Sequence, residues 1–338
     1  MAIGAGTQTL ADYAQYSNSP LVQKVTYSLI QNDNVLQDVP LINNKSMTVT
    51  GARFEGNLPS VNWAAINSEG VTTKGTPTPY AEQAYMIRNN IDTDKVLVQD
   101  KNSIVDPRGV QVDAWLKALT YDMNFKFISN NHVTGDVNAP VGLKYRIANG
   151  GIFGVRPENL IDGGGVDMTQ ATLLTTPGNG NKFLEFLDNL LWSVDSPTGA
   201  NVSIYMNEVL RRRFAFAVRA MGTSGGFETT RDQFNRTVDM YKGAVIRDIG
   251  YKVDQATRII TNTELATGLA DTGGTFTSVY AVNYGEEHFS GWQFDTINVQ
   301  DLGLINNGVI YRTFIDWVVG FQNTSTRSIG RLYDVKLS

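Results

Sequence analysis

Gly222-Thr223-Ser224-Gly225-Gly226 matches G-x-S-x-G, the turn that presents a nucleophilic serine in many hydrolases. That chemistry needs a strand running into the turn and a helix leaving it. His288 stands downstream in a suitable chain order to act as base. Here an arginine-bearing helical segment precedes the motif and polar residues follow it, so a flexible loop is the preferred reading of Ser224. Gly178-Asn179-Gly180 leads into a helical segment, as phosphate-cradling glycines do. No Lys-Ser or Lys-Thr pair follows it, which leaves a plain helix-leading turn. Arg211-Arg212-Arg213 would attract polyanions. Three consecutive side chains spread around most of a helix, so ion pairs and solvated faces fit better than one ligand. Asp92 and Asp94 share a strand face but lack the spaced oxygen ligands of a cation loop. Glu286-Glu287-His288 lacks the second histidine of a zinc helix. His132, at the end of a long helical pattern, complements the helix dipole and is read as structural.

Composition narrows the chemistry further. The 338 residues contain no cysteine and two histidines, which excludes disulfides, thiolate zinc sites, iron–sulfur clusters and multi-histidine metal centres. Net charge is −5, against a dedicated nucleic-acid binder. Hydrophobic residues make up 42% and charged residues 18%, a globular composition with fewer charges than the usual one of about 25%. Neither a signal peptide nor an apolar run of membrane-spanning length of about 18 residues is found. No catalytic, cofactor-binding or metal-binding residue is therefore assigned, and the chain reads as a non-enzyme.

The elements that would hold such residues are unusual in shape. Thr9 to Asp12 fits a capping box, and Ser19-Pro20 opens a helix that Asn32-Asp33-Asn34 ends, with Pro40 closing the arm. Met47, Val49 and Gly51 alternate with Thr48, Thr50 and Ala52 as a strand, and residues 46–85 read as a two-stranded excursion from the body. Its Thr-, Pro- and Gly-rich part, 70–79, buries little, so the hairpin needs a neighbour. Asp106-Pro107 starts the longest helix, reaching about Val133, with Val112, Leu116, Leu119, Met123 and Phe127 on one stripe. Residues 135–180 read as loop-rich, with a second domain beginning near residue 146. Phe183 to Val194 forms an amphipathic helix, Asn201 to Tyr205 a buried strand, and Asn207 caps a further helix. Residues 222–240 read as a polar loop, followed by strands at 241–253 and 276–282. Val309 to Phe321 alternates over a length that matches the long helix, so the two are expected to pack together. An arm and a hairpin that do not bury themselves point to burial against other copies.

This order of elements resembles the major capsid protein of tailed bacteriophages, a fold shared with encapsulin shells. The resemblance covers nearly the whole chain. Pro20-Leu21-Val22 through Val39-Pro40-Leu41 is similar to the family's opening helix and its approach to an extended loop. Asn138 to Leu143 resembles the turn after the spine helix, Val202 to Asn207 the core strand of the axial domain, and Tyr241 to Val245 its next strand. Val309–Gln322 and Arg327–Leu337 resemble the closing strands.

The resemblance implies an α+β fold. It has an N-terminal arm (1–41), an extended β-hairpin loop (42–84), a peripheral domain with a spine helix (85–145) and an α/β axial domain (146–300). A peripheral return strand (301–325) and a C-terminal strand to the axial domain (326–338) complete it. It also implies a structural capsid protein, with hexamers and pentamers closing an icosahedral shell around double-stranded DNA held without sequence specificity. The implied location is the virion, after assembly in the bacterial host cytoplasm. Partners would be further copies, a portal, and a scaffolding or decoration protein, with no membrane; a scaffold, if needed, is expected as a separate chain or as a segment cleaved off a precursor, the Met1 start favouring the former. Some family members cross-link a loop lysine to a partner asparagine, and Lys74 sits in this loop, where a solvated lysine is the simpler reading. The rivals are an encapsulin-type nanocompartment, a serine hydrolase using Ser224, and a carbohydrate- or host-binding virion protein.

Overall fold

The computed structural model describes residues 34–338 apart from 54, 100–105, 149–152, 177, 197, 221–225, 232–236, 269, 306–307 and 338. The capping box at Thr9–Asp12 and the helix at Ser19-Pro20 lie outside the described residues. Asn34, expected to end a helix, instead begins a short one, α1 (Asn34–Asp38). Its Val35 and Leu36, with the following Val39 and Leu41, are completely buried. Burying so many aliphatic groups overrides the turn preference of the Asn-Asp-Asn run.

Two sheets organise the chain. The first holds β1 (Leu41–Asn43), β2 (Thr48–Arg53), β3 (Thr78–Asp94), β10 (Phe289–Gln293), β11 (Asn298–Ile305) and β12 (Ile310–Asn323). Strand β12 is its axis. One edge pairs antiparallel with β3, from Ile310↔Asp94 to Gly320↔Ala84. The other edge takes β11 along its first half and β10 along its second. The inward face of β12 carries Thr313, Ile315, Trp317, Val319 and Phe321, the alternation its sequence predicts. The other helices of this part are α2 (Lys95–Gln99), the spine α3 (Pro107–Ser129) and α4 (Leu143–Ala148).

Asp106 caps α3 by accepting from the Arg108 N–H at 3.0 Å, with Pro107 at the first helical position. The helix stops at Ser129, short of the expected Val133. There the Asn130 side chain turns away to donate to the Asp136 and Pro140 carbonyls, both at 2.9 Å. Leu116, Leu119, Met123 and Phe127 share a core with Ile315, Trp317, Val319 and Phe321, so the long helix and the long strand bury one another's apolar stripes.

The second sheet has the order β4 (Leu160–Asp167), β13 (Ile329–Lys336), β9 (Phe276–Asn283), β5 (Val202–Met206), β8 (Ala244–Asp248), β7 (Thr237–Tyr241), β6 (Phe227–Arg231). Helices α5 (Gln170–Thr175), α6 (Gly178–Ser193) and α7 (Glu208–Ala220) accompany it. Phe183, Leu187 and Leu190 of α6 and Leu210, Phe214 and Ala217 of α7 bury against the sheet. Asn207 caps α7 through the Leu210 N–H at 2.8 Å.

Three sequence readings change here. Residues 222–240 contain strands β6 and β7, a hairpin continued into β8 by a tight turn. Lys242 and Gly243 in that turn have φ of 47° and 88°, the pair of left-handed residues that a two-residue hairpin demands. The loop-rich stretch 135–180 contains β4, whose Gly163-Gly164-Gly165 hides its alternation. Finally β10 and β11 belong to the first sheet, so the chain returns to it at Phe289 and not at residue 301. The short buried run Phe289–Gln293 has no periodicity of its own and takes its place by pairing with β12.

Candidate functional site

The residues singled out for chemistry do not converge. Ser224 lies outside the described residues. The elements around it run helix α7 before and strand β6 after, the reverse of a nucleophile turn. His288 sits in the crossing between β9 and β10, its backbone N–H donating to the Gly285 carbonyl at 3.2 Å. Glu286 and Glu287 beside it are exposed. Gly178-Asn179-Gly180 is the first turn of α6, but helix α5 leads into it where a phosphate site needs a strand, and the Asn179 amide donates to the Asp167 carbonyl.

The three arginines separate as their spacing requires. Arg211 pairs with Asp239 at 2.6 Å, Arg212 with Glu208 one turn back at 3.3 Å, and Arg213 donates to the Gln170 side chain at 2.7 Å. Asp92 receives both arms of Arg312 at 2.7 and 2.6 Å, and Asp94 accepts from the Val96 N–H at 2.8 Å. His132 lies against Tyr85 and its Nε2 is 2.7 Å from the Ala139 carbonyl, a structural position. No described group of His, Cys, Asp and Glu is placed to hold a metal ion, and no described helix is long and apolar enough to cross a membrane.

What the molecule does present is a projecting loop. Strands β2 and β3 pair from Thr48↔Gln83 to Arg53↔Thr78. Between them residues 55–77 form no strand and are almost entirely exposed. Val61, Trp63 and Ile66 are 83%, 99% and 95% exposed, and Leu58 and Val71 are close behind. An indole left wholly in water is costly on a monomer and common in an interface. Sequence reading saw that this segment needs a neighbour but passed over these side chains; the apolar Trp63-Ala64-Ala65-Ile66 run in a polar stretch was the available signal. A second exposed apolar group lies where β3, α2 and the β11–β12 turn meet, with Val96, Leu97, Leu302, Leu304 and Val309.

The loop's root is rigid by contrast. The Arg53 guanidinium is buried, donates to the Thr324 carbonyl at 2.9 Å and to the Asn323 carbonyl, and stacks on Tyr80 at 4.3 Å. Glu55 accepts from the Thr326 N–H at 2.6 Å. Burial pushes the Glu55 carboxyl up, but hydrogen bonds from Ser325 and Thr326 outweigh it and hold the group below its ordinary value. The hydrogen bonds to residues 323–326 were not legible in sequence, because Arg53 and Glu55 lie about 270 residues from these partners.

The backbone is similar to those of proteins from known shells. An encapsulin complex of Synechococcus elongatus PCC 7942 superposes with a TM-score of 0.56 at 10% identity, over 89% of this chain and 87% of that one. The capsid of an empty GTA particle gives 0.55 at 14% identity, over 90% of each chain. Microbacterium phage Oxtober96 gives 0.52 at 14% identity, over 90% of this chain and 91% of that one. This chain has the capsid fold of tailed phages and encapsulins. No family model and no curated protein matches its sequence. The likeness therefore lives in the backbone.

Proposed function

We propose that this chain is a major capsid protein, assembling as hexamers and pentamers into the icosahedral head of a tailed phage around double-stranded DNA. The observation that carries this reading is a firmly rooted loop with Trp63 and Ile66 in open solvent, on a capsid fold matched over nine-tenths of the chain. On another copy such a loop would gain the burial it lacks on the single chain. In this reading the first sheet and α3 form the peripheral domain, and the second sheet with α6 and α7 forms the axial domain. The protein acts structurally, without catalysis. It resides in the virion after assembly in the host cytoplasm, with a portal and a scaffolding or decoration protein as further partners. The net charge of −5 suits a wall that holds packed DNA without adhering to it.

The second reading is an encapsulin-type compartment shell, favoured by the superposition on the Synechococcus encapsulin. Expression of the chain alone, followed by negative-stain electron microscopy and light scattering, tests both. Closed particles, tubes or capsomer rings support a shell protein, and particle diameter together with co-purified contents separates phage head from compartment. A monomer that stays unassembled with a co-expressed phage scaffold overturns both readings.

A further inference from the structure

Two direct crossings join the sheets, and they run side by side. Residues 284–288 lead from β9 to β10, and residues 324–328 lead from β12 to β13. The Thr324 N–H donates to the His288 carbonyl at 2.8 Å, and the Asn283 N–H to the Ser328 carbonyl at 2.8 Å. Any change in the angle between the sheets must bend here, since the chain on either side is locked into ladders.

The second crossing is held from several directions at once. From the second-sheet side, Arg156 donates its Nε to Thr326 Oγ1 at 3.0 Å, and Asn159 donates to the Thr326 and Ile329 carbonyls at 3.1 and 2.7 Å. From the projecting loop come Arg53, on the Asn323 and Thr324 carbonyls, and Glu55, on the Thr326 N–H. Gly154 lies against the same guanidinium with φ of 72°, and a Cβ there would collide with Arg53 Nη1. The backbone is thus shaped to leave the arginine its place. Carbonyls and N–H groups of a crossing are usually answered by water or by neighbouring loop backbone. Here an exposed loop spends a buried arginine and a carboxylate on them.

We propose that Arg53 and Glu55 form a latch that couples the position of the projecting loop to the joint between the two sheets. When the latch is closed, the loop root and the crossing at 323–326 move as one body. A force on the loop is then transmitted to the sheet-to-sheet angle, and a change of that angle redirects the loop. The inference concerns the chain's own mechanics and stands whether or not the chain forms a shell.

The absence of cysteine makes the test direct. Thr50→Cys on the loop root and Lys182→Cys on α6 place one label on each side of the joint, for pulsed electron–electron distance measurements on the full chain. Glu55→Gln and Arg53→Lys are introduced separately, with hydrogen exchange read on the same variants. The conservative changes keep size in the first and charge in the second. The expected result is a label-to-label distribution about twice as wide in both variants. Exchange at Thr326 and along 48–53 should also be about tenfold faster, with β5 unchanged. A distribution unchanged in both variants overturns the latch. So does faster exchange at Thr326 with the loop root still protected, because the two would then be neighbours without coupling. Should one variant unfold, shown by lost protection in β5, the other still decides.

Discussion

Glu82 and Arg146 meet face to face at the base of the loop, carboxylate to guanidinium at 2.5 and 3.0 Å, with side-chain exposures of 8% and 1%. The pair reaches further than two residues. Arg146 also donates its Nε to the Val141 carbonyl at 3.0 Å and its Nη2 to the Phe321 carbonyl at 3.3 Å, and it packs over Phe153. One guanidinium therefore joins β3, the turn after the spine helix, and β12. Its planar fork fills each of these directions, which an ammonium cannot do.

Removing one member of such a pair leaves the other charge buried without its counterion. Glu82→Ala is expected to lower the unfolding free energy by about 3–5 kcal/mol, measured by urea denaturation with an unchanged slope. Arg146→Lys is expected to cost a comparable amount despite keeping the charge, since the carbonyl contacts go with the fork. A loss below about 1 kcal/mol in Glu82→Ala, the scale of a surface pair, would show that water reaches the site.

The loop's apolar side chains should behave oppositely. Trp63→Ser and Ile66→Ser remove nothing that the single chain buries, so thermal stability of the unassembled chain is expected to stay within about 0.5 kcal/mol. Assembly measured by light scattering should fall at least tenfold in the double variant, because a buried indole anchors interfaces at about 2 kcal/mol or more. Normal assembly of the double variant would remove the loop from the interface.

The parts of the fold that rest on local signals were readable in the sequence. Asp106-Pro107 and Asn207 announce the starts of α3 and α7, and alternation from Val309 to Phe321 announces β12. What stayed hidden depends on partners far along the chain. Phe289–Gln293 carries five buried residues without alternation, and only pairing with β12 identifies it as a strand of the first sheet. Gly163 to Gly165 reads as a loop, although it lies in β4 beside β13. The loop-root contacts join residues hundreds of positions apart, beyond any periodicity. Among the chemistry-bearing motifs, Arg211 to Arg213 was the one that spacing itself decides, since three consecutive side chains must spread around one helix.

Phe127 lies where the spine helix meets both sheets. Its ring stands edge-on to Tyr205, Phe289 and Phe321, with centroids 5.9, 5.8 and 5.5 Å away. Tyr205 belongs to the second sheet and the two phenylalanines to the first, so this side chain fills the seam. Phe127→Ala is expected to cost about 3–5 kcal/mol through lost burial and the cavity left behind. Phe127→Leu should cost less than half of that, because leucine fills much of the space. Equal losses in the two variants would point to ring geometry in place of volume.

Asp334 offers a titration that can be followed without touching the core. It sits in a bulge of β13 with φ of 59°, next to the Tyr333↔Asp162 pair of the β4 ladder. Burial raises its carboxyl above the ordinary value, and the neighbouring Asp162 carboxylate raises it further, against a hydrogen bond from Gly165. Tyr333 and Arg331 are the other titratable groups close by on the same strand. A carboxyl raised on folding contributes stability that is present below its unfolded value, about 3.9, and lost as pH climbs through the higher folded value. Above that value the Asp334 charge is held against the repulsion of the Asp162 carboxylate. Asp334→Asn removes that charge, and asparagine tolerates the left-handed backbone as well as aspartate does. The variant is expected to be more stable at pH 7.5 by up to about 1 kcal/mol, with the advantage fading as pH falls through the raised Asp334 value and that carboxyl protonates. Urea midpoints at pH 7.5 and below about pH 3.9, the unfolded value, measure it directly. An advantage of the same size at both would assign the effect to the backbone and not to charge.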